Sequence, residues 1–260
     1  MSSFPPPETH PVHVTSHSVV SFDGAQIYFD LYERPSRSLA LIVPGFWRDR
    51  KHPAMVRLAG LVSALGYKVA VMDVRGHGDS EGTYGFNLNE HYDVDAVAKE
   101  LLRRLPIESI ALIGLSYGGA IAVSTAARHE LPLSSVLLIS TVADLNLIVP
   151  RINLFTIHHH IAFRQALHRP RFDWRLRGTA RLSALDDMER VRVPVCLVHA
   201  KDDWLVAHTH SEALHGRAND PKELHILDIA GNYHADRIFS VAPDSIEPLV
   251  RDFLLRHTSR

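Results

Sequence analysis

The chain has 260 residues, of which 46% are hydrophobic and 22% are charged, which fits one globular domain with a large core and an inserted subdomain. Its formal net charge is -1, so it lacks the strong field of one sign that attracts nucleic acid or an anionic membrane. Its single cysteine, Cys196, excludes an intramolecular disulfide.

The first residues, MSSFPPPETHPVHV, contain no basic segment followed by an apolar one, so the sequence predicts no secretory signal. The longest mostly apolar run is too short to span a bilayer. We therefore expect a cytoplasmic protein without a transmembrane segment, whose partner is a small molecule and not nucleic acid.

Strands and helices alternate through the first half of the chain. Residues 1–16 are rich in proline and serine and are predicted to form an extended lead-in. Two β-rich runs, HSVVSF and AQIYFDLYE, flank Asp23-Gly24, which is a typical hairpin turn. Further strands are predicted at 39–43, 68–73, 109–114 and 134–140, and helices from 53 to Gly66, near 89–104 and over 117–129.

Residues 143–190 interrupt this alternation, because they are rich in Arg, His and Leu and contain no clear strand. The alternation resumes with the strands VPVCLVHA and ELHILDIA and with helices over 208–218 and 243–257. Such alternation predicts a mostly parallel sheet with helices on its faces. We therefore divide the chain into an α/β core at 17–142 and 191–260 and a helical insertion at 143–190.

The stretch IALIGLSYGGA places Ser116 between a predicted strand and a predicted helix, within a Gly-x-Ser-x-Gly pattern. Glycines on both sides permit a sharp turn in which neighbouring backbone comes close. The hydroxyl then lies at a helix N-terminus, where backbone N–H groups favour developing negative charge. An ordinary tight turn is the alternative, but the strand-to-helix context favours a nucleophile.

A serine nucleophile needs a base to take its proton and an acid to orient that base. Two adjacent acids, Asp202 and Asp203, follow the strand VPVCLVHA, and His234 follows ELHILDIA. Parallel sheets bind ligands beside the carboxyl ends of their strands. The sequence therefore predicts that Ser116, one of these acids and His234 meet at this edge.

With these motifs the chain resembles the α/β-hydrolase superfamily over essentially its whole length after residue 17. The matching motifs are GLSYGG, HAKDDWLV, AGNYHADR, VPGFWRDR and DVRGHGDSEG. The resemblance implies the α/β-hydrolase fold, with a mostly parallel central sheet, helices on both faces and a helical cap insertion at 143–190. It also implies a serine esterase or lipase-like enzyme without a cofactor or metal.

The resemblance assigns the acid to Asp203, because the family's acid loop commonly reads Gly-x-x-Asp-x-x-Val and Val206 occupies the last place here. Asp202 is the competing candidate, and Asp144, after SSVLLIS, is a more distant one. Adjacent side chains of an extended segment point to opposite sides, so only one of the two neighbours should reach the histidine.

The tetrahedral intermediate of such an enzyme needs fixed N–H donors for its oxyanion. The residue after the nucleophile, Tyr117, supplies one backbone donor. The resemblance places the other on Phe46, which follows Pro44-Gly45 in the loop after the first buried strand.

The predicted cap contains apolar side chains that could line an acyl or alcohol pocket, although packing of the cap on the core is the alternative for most of them. The candidate pocket residues are Trp47, Phe155, Ile157, Phe163 and Trp204, and further candidates in the cap are Leu147, Ile148 and Leu154. These residues suggest apolar, small to medium esters.

Other motifs are interpreted as structural. RGHGDSEG is typical of a self-hydrogen-bonded loop, and His199 ends a strand beside the acid loop. The run IHHHIAF lacks an acid at ligand spacing, so we predict no metal there. Residues 164–192 hold eight arginines against four acids, and a solvated helical face is favoured over an anion site.

Ester hydrolysis is the leading hypothesis. A thioesterase or acyltransferase, or a carbon–carbon bond hydrolase, would use the same three residues. A non-catalytic ligand-binding relative is the hypothesis from a different class, and the intact triad argues against it.

Overall fold

The structure is a computed structural model that describes residues 12–86, 89–144, 170–171 and 183–258. The strands are β1 (Val14–Val20), β2 (Gln26–Tyr32), β3 (Ser38–Val43), β4 (Lys68–Met72), β5 (Ser109–Leu115), β6 (Leu133–Ile139), β7 (Val195–Ala200) and β8 (Lys222–Leu227). The helices are α1 (Pro53–Ala64), α2 (Glu90–Arg104), α3 (Tyr117–Ala126), α4 (Ala184–Asp187), α5 (Thr209–Arg217), α6 (Ile238–Val241) and α7 (Pro243–Arg256).

The eight strands form one sheet in the order β1-β2-β4-β3-β5-β6-β7-β8. The pairs β1–β2 and β2–β4 are antiparallel, and the other five pairs are parallel. The predicted hairpin is confirmed, with Gly24 in the left-handed region at a φ of 90° between β1 and β2. The expectation of a mostly parallel sheet is also confirmed.

Both faces of the sheet are buried, as expected for parallel strands between two helical layers. Alternate residues of β3 enter different cores: Leu39, Leu41 and Val43 pack on one face, and Ala40 and Ile42 on the other. Buried residues of α2, α3 and α5 contribute to the first core, and those of α1, α6 and α7 to the second.

Several element boundaries differ from the predicted ones. The first strand begins at Val14, within the predicted lead-in, because its pairing with β2 continues to Tyr32. Helix α3 ends at Ala126 and not near 129, and His129 has a left-handed φ of 58° that is incompatible with a continuing helix. Helix α1 ends as predicted, with Gly66 at a φ of 94° just after it.

Most of the predicted insertion at 143–190 lies outside the described residues. The described part near its end, α4, packs against α3, and Ala184 and Met188 are buried in the first core. Cys196 is a free and fully buried residue of β7. In the described part of the chain, no helix is long and apolar enough to cross a membrane.

Candidate active site

Ser116 is the single residue between the end of β5 at Leu115 and the start of α3 at Tyr117. Its backbone has a φ of 53° and a ψ of -120°, a conformation that a side-chain-bearing residue adopts only under constraint from its surroundings. Its N–H donates to the carbonyl of Ile139 in β6 at 2.8 Å, so the turn is tied to the neighbouring strand. This sharp turn places Ser116 at the carboxyl edge of the sheet.

The glycines around Ser116 are required by close backbone packing. A Cβ at Gly114 would lie 2.5 Å from the Cα of Gly119, and one at Gly118 would overlap the carbonyl oxygens of Val43 and Pro44. A Cβ at Gly45 would lie 2.9 Å from the Cβ of Ser116. The turn can therefore form only with hydrogen atoms at these positions.

His234 lies in the loop after β8 and contacts the serine directly. Its Nε2 is 2.7 Å from the Oγ of Ser116, and its Nδ1 is 2.7 Å from the Oδ2 of Asp203. Because an ionised carboxylate only accepts, Nδ1 carries the proton and Nε2 accepts from the hydroxyl. The structure thus brings the three predicted residues into one hydrogen-bonded chain.

Asp203 is held as a buried anion, with 4% of its surface exposed, whereas Asp202 is exposed. Its Oδ1 accepts the backbone N–H groups of Leu205 at 2.9 Å and Val206 at 3.0 Å. Burial alone would raise the pKa of Asp203, but the His234 and His199 side chains outweigh it and hold this pKa well below its usual range. The carboxylate is therefore charged at neutral pH.

A second imidazole, that of His199, contacts the loop that carries Asp203. It is fully buried, and its Nε2 lies 2.9 Å from the carbonyl of Val206 and 3.4 Å from the Oδ2 of Asp203. Its Nδ1 lies 2.7 Å from the Oγ of Ser211. Because a carbonyl only accepts, His199 donates through Nε2 and accepts from the serine. These bonds fit the structural interpretation of His199, and its contact with Asp203 was not predicted.

The two residues proposed as oxyanion donors are sequence neighbours of Ser116 and of Gly45, which packs against it. Tyr117 is the first residue of α3. Phe46 follows Gly45, whose Cα packs against Ser116. A turn closed by the Arg48 N–H and the Gly45 carbonyl, at 3.1 Å, contains Phe46. Both residues are thus adjacent to the nucleophile, and their role as donors stays a proposal.

Aromatic side chains pack together beside the turn. Tyr117 donates its hydroxyl to the Phe86 carbonyl at 3.0 Å, and its ring packs edge-on against Phe86 and Tyr84. Phe46 packs against Tyr84, Phe86 and Trp47, with ring centroids between 4.7 and 5.5 Å apart. Sequence reasoning missed Tyr84 and Phe86, although TYGF immediately follows the glycine-rich loop and offered an aromatic signal.

The candidate pocket residues are only partly described. Trp47 is 40% exposed, and Trp204, one residue after the acid, is partly exposed. Phe155, Ile157 and Phe163 lie outside the described residues, as do Leu147, Ile148 and Leu154.

The RGHGDSEG segment is confirmed as a self-bonded loop. Ser80 donates to the carbonyl of Asp73 at 2.8 Å, and the buried Asp73 carboxylate accepts from the backbone of Arg50 at 2.7 Å and of Asp79 at 2.9 Å. His77 is buried against Phe46, and burial lowers its pKa to about 4. In the described part of the chain, this loop makes no hydrogen bond to Ser116, Asp203 or His234.

The two segments for which an anion site and a metal site were considered are only partly described. Of the arginine-rich segment 164–192, Arg171 donates its backbone N–H to Gly76 at 2.9 Å, and Arg190 bonds Asp187. The histidines of IHHHIAF lie outside the described residues. Within the described ranges, one group of side chains has metal-ligand spacing: Cys196, Glu223 and His225. The Glu223 carboxylate already accepts a hydrogen bond from the Arg256 guanidinium at 2.6 Å, and it lies 3.2 Å from the Nε2 of His225.

Comparisons with known proteins agree with this fold. A family model described as "alpha/beta hydrolase fold" matches residues 41–156. RutD of Cronobacter sakazakii, which is named as a proposed carbamate hydrolase, is 28% identical over 74% of this chain and 87% of its own.

Two solved structures share the fold over nearly the whole chain. The esterase Pf2001 of Pyrococcus furiosus is 19% identical, with a TM-score of 0.79 over 95% of this chain and 94% of its own. The alpha/beta hydrolase GrgF of a Penicillium species is 17% identical, with a TM-score of 0.79 over 95% of this chain and 99% of its own.

Proposed function

The chain belongs to the α/β-hydrolase superfamily, and from this premise we propose that it is a serine hydrolase that cleaves carboxylic esters. One observation carries the proposal: the unbroken hydrogen-bonded chain from the Ser116 hydroxyl through His234 to Asp203, with both links at 2.7 Å. A hydroxyl linked in this way can be deprotonated as it attacks.

In the proposed acylation step, the Oγ of Ser116 attacks the ester carbonyl and His234 Nε2 takes the hydroxyl proton. Asp203 stabilises the resulting imidazolium through Nδ1. His234 then gives the proton to the alcohol oxygen as the carbonyl–oxygen bond breaks. The alcohol leaves, and the acyl group remains on Ser116.

In deacylation, water takes the place of the alcohol. His234 removes a proton from the water as its oxygen attacks the acyl carbonyl, and then protonates Ser116 as the acyl–serine bond breaks. Both steps pass through a tetrahedral intermediate with a negatively charged oxygen. The backbone N–H groups of Phe46 and Tyr117 are proposed to bind that oxygen, and one such donor typically contributes about 3–4 kcal/mol of transition-state stabilisation.

The aromatic side chains near Ser116 support an apolar substrate. Phe46 and Phe86 are partly buried, and Trp47 is exposed at the end of this group. Aromatic side chains offer large apolar contact areas. We assign the acyl or alcohol part of a small to medium ester to this surface, together with the candidate residues Trp204, Phe155, Ile157 and Phe163.

A carbamate is the second candidate substrate, because the relative RutD is named for that activity and is similar over most of both chains. The same serine would attack a carbamate carbonyl, with the same histidine as base and the same aspartate stabilising the imidazolium. Carbamate esters of p-nitrophenol compared with matched carboxylic esters would separate the two activities.

The test is hydrolysis of p-nitrophenyl esters from acetyl to dodecanoyl by the parent and by Ser116→Ala. We expect Ser116→Ala to lower kcat by about four to six orders of magnitude with the fold intact. Ser245→Ala is the matched control, because Ser245 is an exposed residue of α7 that bonds none of the three residues, and it should keep the parent's rate. A folded parent that hydrolyses none of these esters, or a Ser116→Ala variant as active as the parent, would overturn the proposal.

A further inference from the structure

An ion pair joins the two loops that carry the proposed oxyanion donor and the proposed base. Arg48, in the loop after β3, donates its Nε–H to the Oδ2 of Asp236, in the loop after β8, at 3.1 Å. The side chains are only 20% and 7% exposed. The two residues are separated by 188 positions in sequence, so this contact depends on the assembled fold.

Each member of the pair belongs to a hydrogen-bonded turn that also holds a proposed active-site residue. The Arg48 N–H closes a turn onto the Gly45 carbonyl at 3.1 Å, and Phe46 lies inside it. In the other loop, the N–H of Arg237 closes a turn onto the His234 carbonyl at 3.1 Å, and Asp236 lies inside it. The ion pair is therefore attached directly to both turns.

Both turns contain a left-handed residue that is not glycine. Trp47 has a φ of 63° and Ala235 has a φ of 43°. Residues with a Cβ keep such backbone angles only where surrounding contacts impose them. A contact that spans the two turns is well placed to impose both angles at once.

His52 lies beside the pair without replacing Arg48 in it. Its Nδ1 is 4.0 Å from the Asp236 carboxylate and accepts the Ala54 N–H at 3.3 Å. Burial first, and then the charge of Arg48, lower the pKa of His52. The guanidinium is therefore the cation that bonds Asp236 at neutral pH.

We propose that Arg48 and Asp236 are positioning residues that fix the distance between the Phe46 N–H and the His234 imidazole. This inference rests on the proposed serine-hydrolase function. If the Arg48–Asp236 pair is removed, the substrate still binds. The oxyanion donor and the base, however, no longer face the same carbonyl carbon in the required geometry. Small misplacements of this kind are enough to slow catalysis strongly.

The experiment is a double-mutant cycle with Arg48→Gln, Asp236→Asn and the double variant, assayed on p-nitrophenyl butyrate. Active sites are counted by titration with diethyl p-nitrophenyl phosphate, so that loss of folded protein does not count as loss of kcat. Arg57→Gln and Glu247→Gln are matched controls, because that exposed pair joins α1 to α7 at 2.8 Å with the same chemistry. We expect the controls to keep the parent's kcat.

We expect the variants Arg48→Gln and Asp236→Asn each to lose about 10- to 100-fold in kcat per titrated site, with KM within about threefold of the parent. The double variant should lose no more than the worse single variant, since both remove the same contact. Arg48→Lys, which keeps the charge, should retain more kcat than Arg48→Gln.

Two results would overturn this proposal, provided that the parent hydrolyses the ester and is titrated. One is a kcat within about twofold of the parent in the single variants. The other is a loss of kcat in the double variant that equals the product of the two single losses. A folded parent that is neither titrated nor active would instead overturn the proposed function itself, so the two failures are distinguishable.

Discussion

Asp202 and Asp203 are adjacent acids, yet only Asp203 reaches the histidine. Asp203 is buried and bonds His234 at 2.7 Å, while Asp202 is exposed. Two backbone N–H groups fix the second oxygen of Asp203 and leave Oδ2 directed at the imidazole. The selection between the two acids is thus made by backbone geometry in the acid loop.

Replacing the acids separately tests this selection. We expect Asp203→Asn to lower kcat on short p-nitrophenyl esters by about 10³- to 10⁴-fold, because an amide in this place favours the wrong imidazole tautomer. Asp202→Asn should leave kcat almost unchanged. Equal losses in the two variants would show that the acid is assigned to the wrong residue.

His77 is a buried neutral imidazole outside the triad. Burial lowers its pKa to about 4, from an ordinary value of 6.5. Between these two pH values the unfolded chain binds a proton that the folded chain does not. The contribution of neutral His77 to the free energy of unfolding is therefore fully present above pH 6.5 and is lost as the pH falls toward 4.

Replacing His77 by glutamine should remove this loss, which amounts to about 3 kcal/mol over the window. The measurement is the free energy of unfolding in urea at a series of pH values, for the parent and for His77→Gln. The parent should lose stability more steeply with falling pH than the variant does. Parallel curves would show that His77 does not titrate differently in the two states.

The start of α3 is set by its contact with β3. A Cβ at Gly118 would overlap the carbonyl oxygens at the end of β3. A side chain at this position would therefore push the first turn of α3 away from β3. Gly60, on the exposed face of α1, is the opposite case, because a Cβ added there would have no neighbouring atom within 4 Å.

We expect Gly118→Ala to reduce stability by about 1–3 kcal/mol and to lower kcat by about 100-fold, because Ser116 moves with the helix start. Gly60→Ala should raise stability by about 0.5–1 kcal/mol, since alanine loses less backbone entropy in a helix. Urea unfolding and ester turnover measure both effects. A neutral Gly118→Ala would contradict the packing account of the turn.

The strands and most helices were predictable, because apolar runs and turn residues mark them locally. Helix α3 was predicted too long, since nothing in its apolar sequence signals the left-handed His129. The start of β1 at Val14 was also missed, because its residues alternate in exposure and depend on pairing with β2. Such errors occur where tertiary contacts, and not local preferences, decide the boundary.

The parallel sheet brings residues that are distant in sequence to one edge. Ser116 follows β5, Asp203 follows β7 and His234 follows β8, so their meeting could be predicted from strand order. The Arg48–Asp236 pair and the packing of Phe86 on Tyr117 could not be predicted in this way. Each joins two segments that are distant in sequence and whose relative positions no local pattern encodes.

The most direct test of the central claim, that Ser116 is the nucleophile, is labelling with a fluorophosphonate followed by peptide mass spectrometry. The parent should carry one phosphonate on the peptide with Ser116, and Ser116→Ala should carry none. A folded parent that stays unlabelled, or one whose label lies on another residue and persists in Ser116→Ala, would contradict the account.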